Sequence, residues 1–216
     1  HEVGAVQVVQ QGPWLRWSSG LQVDADGDPR AYHPSDWGPR IPGRQPLGLD
    51  APENAGRPLD PSAPGPGTWP GVVASGAPGA QVPLVQSGQA PAQPFAGYWL
   101  SKTALQDSRY PSDDVRRYIS SSAIPYIAVP PELRKLGVRL GDLVRVMRSG
   151  RSSFAIVADV GPAGKLGEGS ILLAQRLGVP ADPRGGGVRD GVRFELLLGS
   201  SSERPLSLTE IDSSAW

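Results

Sequence analysis

Cysteine is absent from all 216 residues, which removes disulfides, iron–sulfur clusters and thiol catalysis together. That absence does not fix the compartment; it excludes only a small fold held by disulfides. An excess of either charge is also missing. The 21 Lys and Arg balance 21 Asp and Glu, and the pI is near 7.0. A dedicated nucleic-acid binder or a protein held on an anionic membrane would show a basic surplus, so no nucleic-acid or membrane partner is expected. Apolar runs are no longer than a strand, and none reads as a membrane span. Neither the basic stretch nor the apolar core of a signal peptide stands at His1, so export is not legible from the start of the chain.

What the chain has in abundance is backbone punctuation. Glycine and proline supply 52 of 216 residues, about twice ordinary usage. These are the two poorest helix formers, so a mostly helical fold is excluded. Apolar strand-like runs and the lack of a collagen period argue against full disorder. Between Gly38 and Gly97, 24 of 60 positions are Gly or Pro, including Pro61-Ser-Ala-Pro-Gly-Pro-Gly67. Trp69, Val72-Val-Ala74 and Leu84-Val85 within this stretch point to an ordered, loop-rich wall rather than a free linker. Charge is uneven as well: residues 1–100 carry five basic and eight acidic side chains.

Strand signals begin with Val3–Val9. Leu21–Asp24 and Arg30–His33 flank an Asp-Gly step and read as a hairpin. After Gly97 the pattern becomes regular, with candidate strands at Tyr98–Thr103, Tyr126–Val129, Leu143–Val146, Phe154–Ala158 and Val192–Leu197. Pro131–Leu136 reads as one helical turn. Ser170–Gly178 reads as a helix, capped by Ser170, with Leu173 and Leu177 one turn apart and Gly178 at its end. Several short strands around one main helix predict a mainly-β fold closed into a six-stranded barrel, which leaves no sheet edge exposed. The expected organisation is a single domain, with 1–96 a loop-rich wrap, 97–199 the barrel core and 200–216 a tail.

The sharpest chemical feature is Phe154–Ile171. Asp159 ends an apolar strand, where its carboxylate would emerge at a barrel rim. Glu168 sits between Gly167 and Gly169, just before the helix. Two carboxylates joined by a short Gly-rich turn are the equipment for cleaving a glycosidic bond, one as proton donor and one handling water or the sugar cation. A purely structural reading competes: Asp159 would satisfy turn amides and Glu168 would complement the helix terminus.

An ordered series of motifs shifts that balance. Asp24-Ala-Asp-Gly-Asp-Pro-Arg-Ala-Tyr-His-Pro34, Gly48-Leu-Asp50 with Asn54-Ala-Gly56, Gly97-Tyr-Trp-Leu-Ser-Lys-Thr103 and Ile124–Pro131 are followed by Gly141-Asp-Leu, Ala158-Asp-Val-Gly-Pro162 and Gly167-Glu-Gly-Ser-Ile171. The series, spanning roughly Leu21 to Gly199, resembles the bacterial branch of glycoside hydrolase family 75, the family of the fungal endo-chitosanases. The Pro/Gly insertions around Arg40–Gly56 and Pro61–Gly79 depart from its pattern. The resemblance implies hydrolysis of β-1,4 bonds in chitosan with inversion, with Asp159 and Glu168 as the pair, and a secreted or periplasmic monomer needing no cofactor. The run from Leu140 through the helix closing at Gly178 is also similar to a double-psi β-barrel, as in expansins, the family of rare lipoprotein A and murein-cleaving transglycosylases. Those relatives place an acid just before the barrel helix, as Glu168 is placed. They also supply the alternatives: an enzyme cleaving peptidoglycan or another wall glycan, or a non-catalytic expansin-like binding module.

Chitosan carries an ammonium on each glucosamine and calls for carboxylates along its path, so Asp24 and Asp26 become candidates for binding it. Tyr32 and Asn54 in the motifs, Trp37 and Trp69 as stacking faces, Lys165 and Ser170 complete the substrate-binding set. Asp24-Ala-Asp-Gly-Asp28 has its glycine misplaced for an EF-hand and no terminal Glu at the required distance, so it reads as a hairpin rather than a calcium site. His1 and His33 could in principle form a copper brace, but the surrounding motifs match a hydrolase, and no metal is expected.

Overall fold

The computed structural model describes residues 1–39, 42–56, 67–77, 79–202 and 204–214. In chain order its strands are β1 (Glu2–Val3), β2 (Val6–Gln7), β3 (Val9–Gln11), β4 (Trp14–Asp24), β5 (Ala74–Ser75), β6 (Val82–Pro83), β7 (Tyr126–Val129), β8 (Leu143–Arg148), β9 (Arg151–Val160), β10 (Glu168–Ser170) and β11 (Val188–Leu197). The helices are α1 (Pro131–Lys135), α2 (Ile171–Arg176) and α3 (Leu208–Asp212). The chain divides into two units, one of His1–Asp24, Ala104–Gln106 and Ser121–Trp216, the other of Ala25–Thr103 and Asp107–Ser120.

The first unit holds the expected closed barrel of six strands. Their order is β10-β7-β9-β8-β11-β4, and β10 pairs again with β4 to complete the ring; β3 lies outside it along β4. Pairing is mixed: β7–β9 and β10–β4 are parallel, while β8–β9, β8–β11, β4–β11 and β7–β10 are antiparallel. All four residues of β7 are buried, as an apolar run covered on both faces should be. The β8–β9 hairpin turns at Ser149 and Gly150, whose φ values of 48° and 79° are both left-handed, the geometry that matches the twist of the flanking strands. The core includes Leu15, Val144, Val146, Ala155, Ile156, Phe194 and Leu196, all fully buried.

Of this unit's three described helices, α2 and α3 pack against β9. Ser170 caps α2, its hydroxyl accepting the Leu173 N–H at 3.2 Å, and Leu173 and Leu177 are fully buried, as their spacing predicts. In α3 a reciprocal cap joins Ser207 and Glu210, and Ile211 is buried. The segment expected as a tail therefore carries a packed helix.

The second unit is built mostly from turns. Its β5–β6 pair spans two residues each, and single 3-10 turns lie at Pro34–Asp36, Pro52–Ala55 and Val115–Arg117. Leu100, Val115 and Tyr118 form a small core with Val73 and Leu84 packed on it. Buried polar side chains do what a sheet would otherwise do. The Gln86 amide donates to the carbonyls of Pro29 and Trp99 at 2.6 and 3.2 Å and accepts the Phe95 N–H at 3.3 Å.

Several boundaries differ from expectation. The barrel begins with β4, inside the segment expected as a wrap, because Trp14–Asp24 finds its partners in β10 and β11 far along the chain. Tyr98–Thr103 is not a barrel strand; Trp99 and Ser101 make single bridges to Val85 and Val72 within the second unit. Leu21–Asp24 and Arg30–His33 form no hairpin. Asp28 turns the chain instead, its carboxylate accepting the Arg30 N–H and its carbonyl the Ala31 N–H. Val3–Val9 breaks at Gly4, whose φ is 56°, into β1 and β2. Of the Pro61–Gly67 run, residues 61–66 lie outside the described residues, as does Arg40.

Candidate active site

The geometry of the two carboxylates follows from strand register. Glu168, the first residue of β10, stands opposite Ala128 of β7, and Ala128 stands opposite Asp159 of β9 on its other side. Laterally paired residues point to the same face of a sheet, so Asp159 and Glu168 flank one small side chain on one face. Two strand spacings separate them, about 9.6 Å between Cα atoms. A bulge creates this alignment. Ile127 pairs with Val157, and an unbroken ladder would set Ala128 against Ala158; instead Asp159 takes that register. Bulges re-aim side chains in this way. The extra residue's carbonyl is not wasted, since that of Ala158 accepts the Leu105 N–H at 2.8 Å.

Each carboxylate has its own surroundings. One oxygen of Asp159 accepts the N–H groups of Ala104 at 3.0 Å and Val160 at 2.8 Å. Glu168 Oε1 meets the Lys165 ammonium at 3.2 Å. Its Oε2 lies over Gly161, in the turn that follows β9, where a Cβ would come within 2.8 Å of it. The Gly-Pro turn after Asp159 thus makes room for Glu168.

Asp24, the last residue of β4, joins this face. It pairs with Ser170 across the barrel closure, one of its oxygens accepts from the Tyr126 hydroxyl at 3.1 Å, and Asp24 and Asp159 each offer a carboxylate oxygen within 4.8 Å of the other. Gln22, opposite Glu168 on β4 and exposed, extends the row to Asp159–Ala128–Glu168–Gln22. The sequence reading missed Gln22, Tyr126 and Ala128. The only local signal was a polar Gln22 between buried Leu21 and Val23, and its position beside Glu168 depends on a pairing over more than a hundred residues.

Ser170 gives a correction. It is fully buried, and its hydroxyl accepts the N–H groups of Leu173 and Tyr126, so it builds the helix start and does not face a ligand. Its neighbour in the packing, Ser121, donates to the Asp24 carbonyl and accepts the Ile171 N–H at 2.8 Å, fixing the end of β4 against the start of α2.

The remaining candidates, His1 apart, lie in the second unit. Tyr32 is buried and its hydroxyl donates to Asp26 at 2.7 Å, so the two are a pair; Gly71 also abuts Asp26, with a Cβ there reaching 2.8 Å from the carboxylate. Asn54 donates to both oxygens of Asp50, at 2.9 and 3.0 Å, holding the 3-10 turn. Trp37 and Trp69 come together with Trp99: ring centroids are 5.9 Å apart for Trp37–Trp69, 4.9 Å for Trp69–Trp99 and 6.2 Å for Trp37–Trp99. Trp99 is buried and Trp37 is 43 % exposed, and the rings are tilted against one another, an aromatic cluster rather than a flat stacking surface. His33 accepts the Ser35 N–H and packs edge-on to Tyr98, while the His1 ring meets the Gln10 amide at 3.3 Å.

Compared with known proteins, the chain matches no family model, and no curated protein matches it.

Proposed function

We propose that the barrel is a glycoside hydrolase that cleaves β-1,4 glucosaminidic bonds within chitosan with inversion. The observation that carries this reading is the row Asp159–Ala128–Glu168. It supports two acids on one face, two strands apart, with only an alanine methyl between them. Inverting glycosidases need about 6.5–9.5 Å between carboxyl groups to admit a water, retaining ones about 5–5.5 Å. The two-strand spacing is one between backbones, and the inverting outcome is what the resemblance to family 75 implies. Glu168 is the general acid for the leaving oxygen, and Asp159 the base for water, its carboxylate steadied by two backbone N–H groups. Asp24 places a further negative charge beside Asp159 for a glucosamine ammonium. A polymer substrate too large to enter cells calls for action outside them.

The test is release of reducing ends from soluble chitosan, with products sized. Asp159→Asn and Glu168→Gln should each lose at least about a hundredfold in rate with the fold intact. Azide assigns the roles, since it should revive the variant that lacks the base. Revival of Glu168→Gln alone would reverse the assignment. Near-normal cleavage by both variants would place the chemistry elsewhere. Digestion of peptidoglycan but not chitosan would favour a wall-glycan enzyme, and binding without cleavage a non-catalytic module.

A further inference from the structure

Beyond Glu168 the charge of the barrel face reverses. A groove of about 590 Å³ opens beside Gln22, the residue paired with Glu168, and runs between β4, the loop before β10 and the chain from Pro183 into β11. Its cationic lining is Lys165, Arg184 and Arg189, its apolar lining includes Leu166 and Pro183, and no Asp or Glu is among its described lining residues. The acid nearest these cations is Glu168, paired with Lys165 at 3.2 Å. Asp182 accepts the Arg184 backbone N–H at 3.0 Å, and Asp190 follows Arg189 on β11. The groove is built by close backbone approach. A Cβ on Gly167 would meet the Gly20 carbonyl at 2.2 Å, one on Gly20 the Val188 carbonyl at 2.5 Å, and one on Gly187 the Leu21 carbonyl at 2.5 Å. Its size falls in the range of ligand sites.

The contrast along the row is what carries the argument. On the β9 side Glu168 faces Asp159 across Ala128; on the β4 side the groove adds Arg184 and Arg189 to the Lys165 that pairs with Glu168. A glucosamine ammonium in the groove would sit among like charges, a repulsion that excludes the wrong unit rather than attracting the right one. An N-acetylglucosamine unit escapes that cost. Its acetamide is neutral, can exchange hydrogen bonds with the exposed Gln22 amide, and has a methyl for Leu166 and Pro183.

We propose that this groove is a subsite for N-acetylated units, so that the enzyme cuts partly acetylated chitosan with an acetylated sugar on the Glu168 flank. The proposal rests on the chitosan-cleaving reading and narrows its substrate: fully deacetylated polymer fills this subsite poorly.

The experiment is sequencing of the oligosaccharides released from partly acetylated chitosan, reading the sugar at each new chain end. The expected result is a ratio of N-acetylglucosamine to glucosamine at one of the two new ends about tenfold above that ratio in the polymer. Arg189 is exposed, so its variants should fold. Arg189→Glu should cut that enrichment severalfold and raise the rate on fully deacetylated chitosan, while Arg189→Lys should keep it. Cleavage with no acetyl bias at either end, or a bias that Arg189→Glu leaves unchanged, overturns the subsite while the hydrolase stands. Absence of cleavage on every chitosan removes both.

Discussion

Replacing Gly161 by alanine tests the site through a single methyl. Gly161 does not occupy the left-handed region, so alanine fits its backbone, and the nearest other atom to the added Cβ is the Ala128 methyl at 3.8 Å. The conflict is with Glu168 Oε2, at 2.8 Å. That atom ends a flexible side chain, so it retreats by a few tenths of an ångström and the fold is spared. Removing a glycine also stiffens the unfolded chain, which stabilises by about 0.4–1 kcal/mol where the backbone allows it. Catalysis is less tolerant. A misplacement of about 1 Å costs roughly a hundredfold, so a shift about half as large should cost on the order of tenfold. Gly161→Ala should therefore release reducing ends from chitosan about tenfold more slowly than wild type, with a melting temperature equal or slightly higher. If activity and melting temperature were both unchanged, either the Glu168 carboxylate is not confined against the Gly-Pro turn or the reaction does not use it. A fall in melting temperature would show that the turn, and not the carboxylate, gave way.

Three further outcomes follow from the packing. Leu173→Ala, which empties a fully buried position on α2, should lower stability by about 2–5 kcal/mol in denaturant titration. Gly167→Ala should destabilise by more than about 2 kcal/mol, because φ is 88° and the new Cβ meets the Gly20 carbonyl where β10 closes on β4, whereas Gly12→Ala, at φ 58° with open space around it, should cost about 1 kcal/mol. Hydrogen bonds from Arg116 hold the buried Asp114 carboxyl below its ordinary range. A carboxyl whose folded value is depressed stabilises above its unfolded value, and that contribution fades as pH falls through the folded one. The stability gap between wild type and Asp114→Asn, measured by urea titration at a series of pH values, should thus be full at neutral pH, shrink below about pH 4 and vanish in stronger acid; a gap independent of pH would refute the ion pair.

How far a feature can be read from the chain depends on how local it is. The run Tyr126–Val129 makes a strand wherever it is buried, because all four residues are strand formers or small. Ser170 with Leu173 and Leu177 specifies a capped helix, because the cap and its recipient N–H are three residues apart. Asp159 at the end of an apolar run and Glu168 between two glycines were legible for the same reason. Position in the fold was another matter. Glu168–Ser170 reads locally as a turn, yet it is the strand that closes the barrel, since its backbone groups find β7 on one side and β4, nearly 150 residues earlier, on the other. Trp14–Asp24 lies in the half of the chain richest in loops and is a barrel wall. Tyr98–Thr103, with strand-like composition, is left with single bridges because nothing offers it a long edge. The alignment of Asp159 with Glu168 hangs on one extra residue at Ala158, and no pattern within β9 announces it. Local chemistry fixed which residues could act; the pairing of distant strands, and a bulge that only pairing can define, decided which of them face each other.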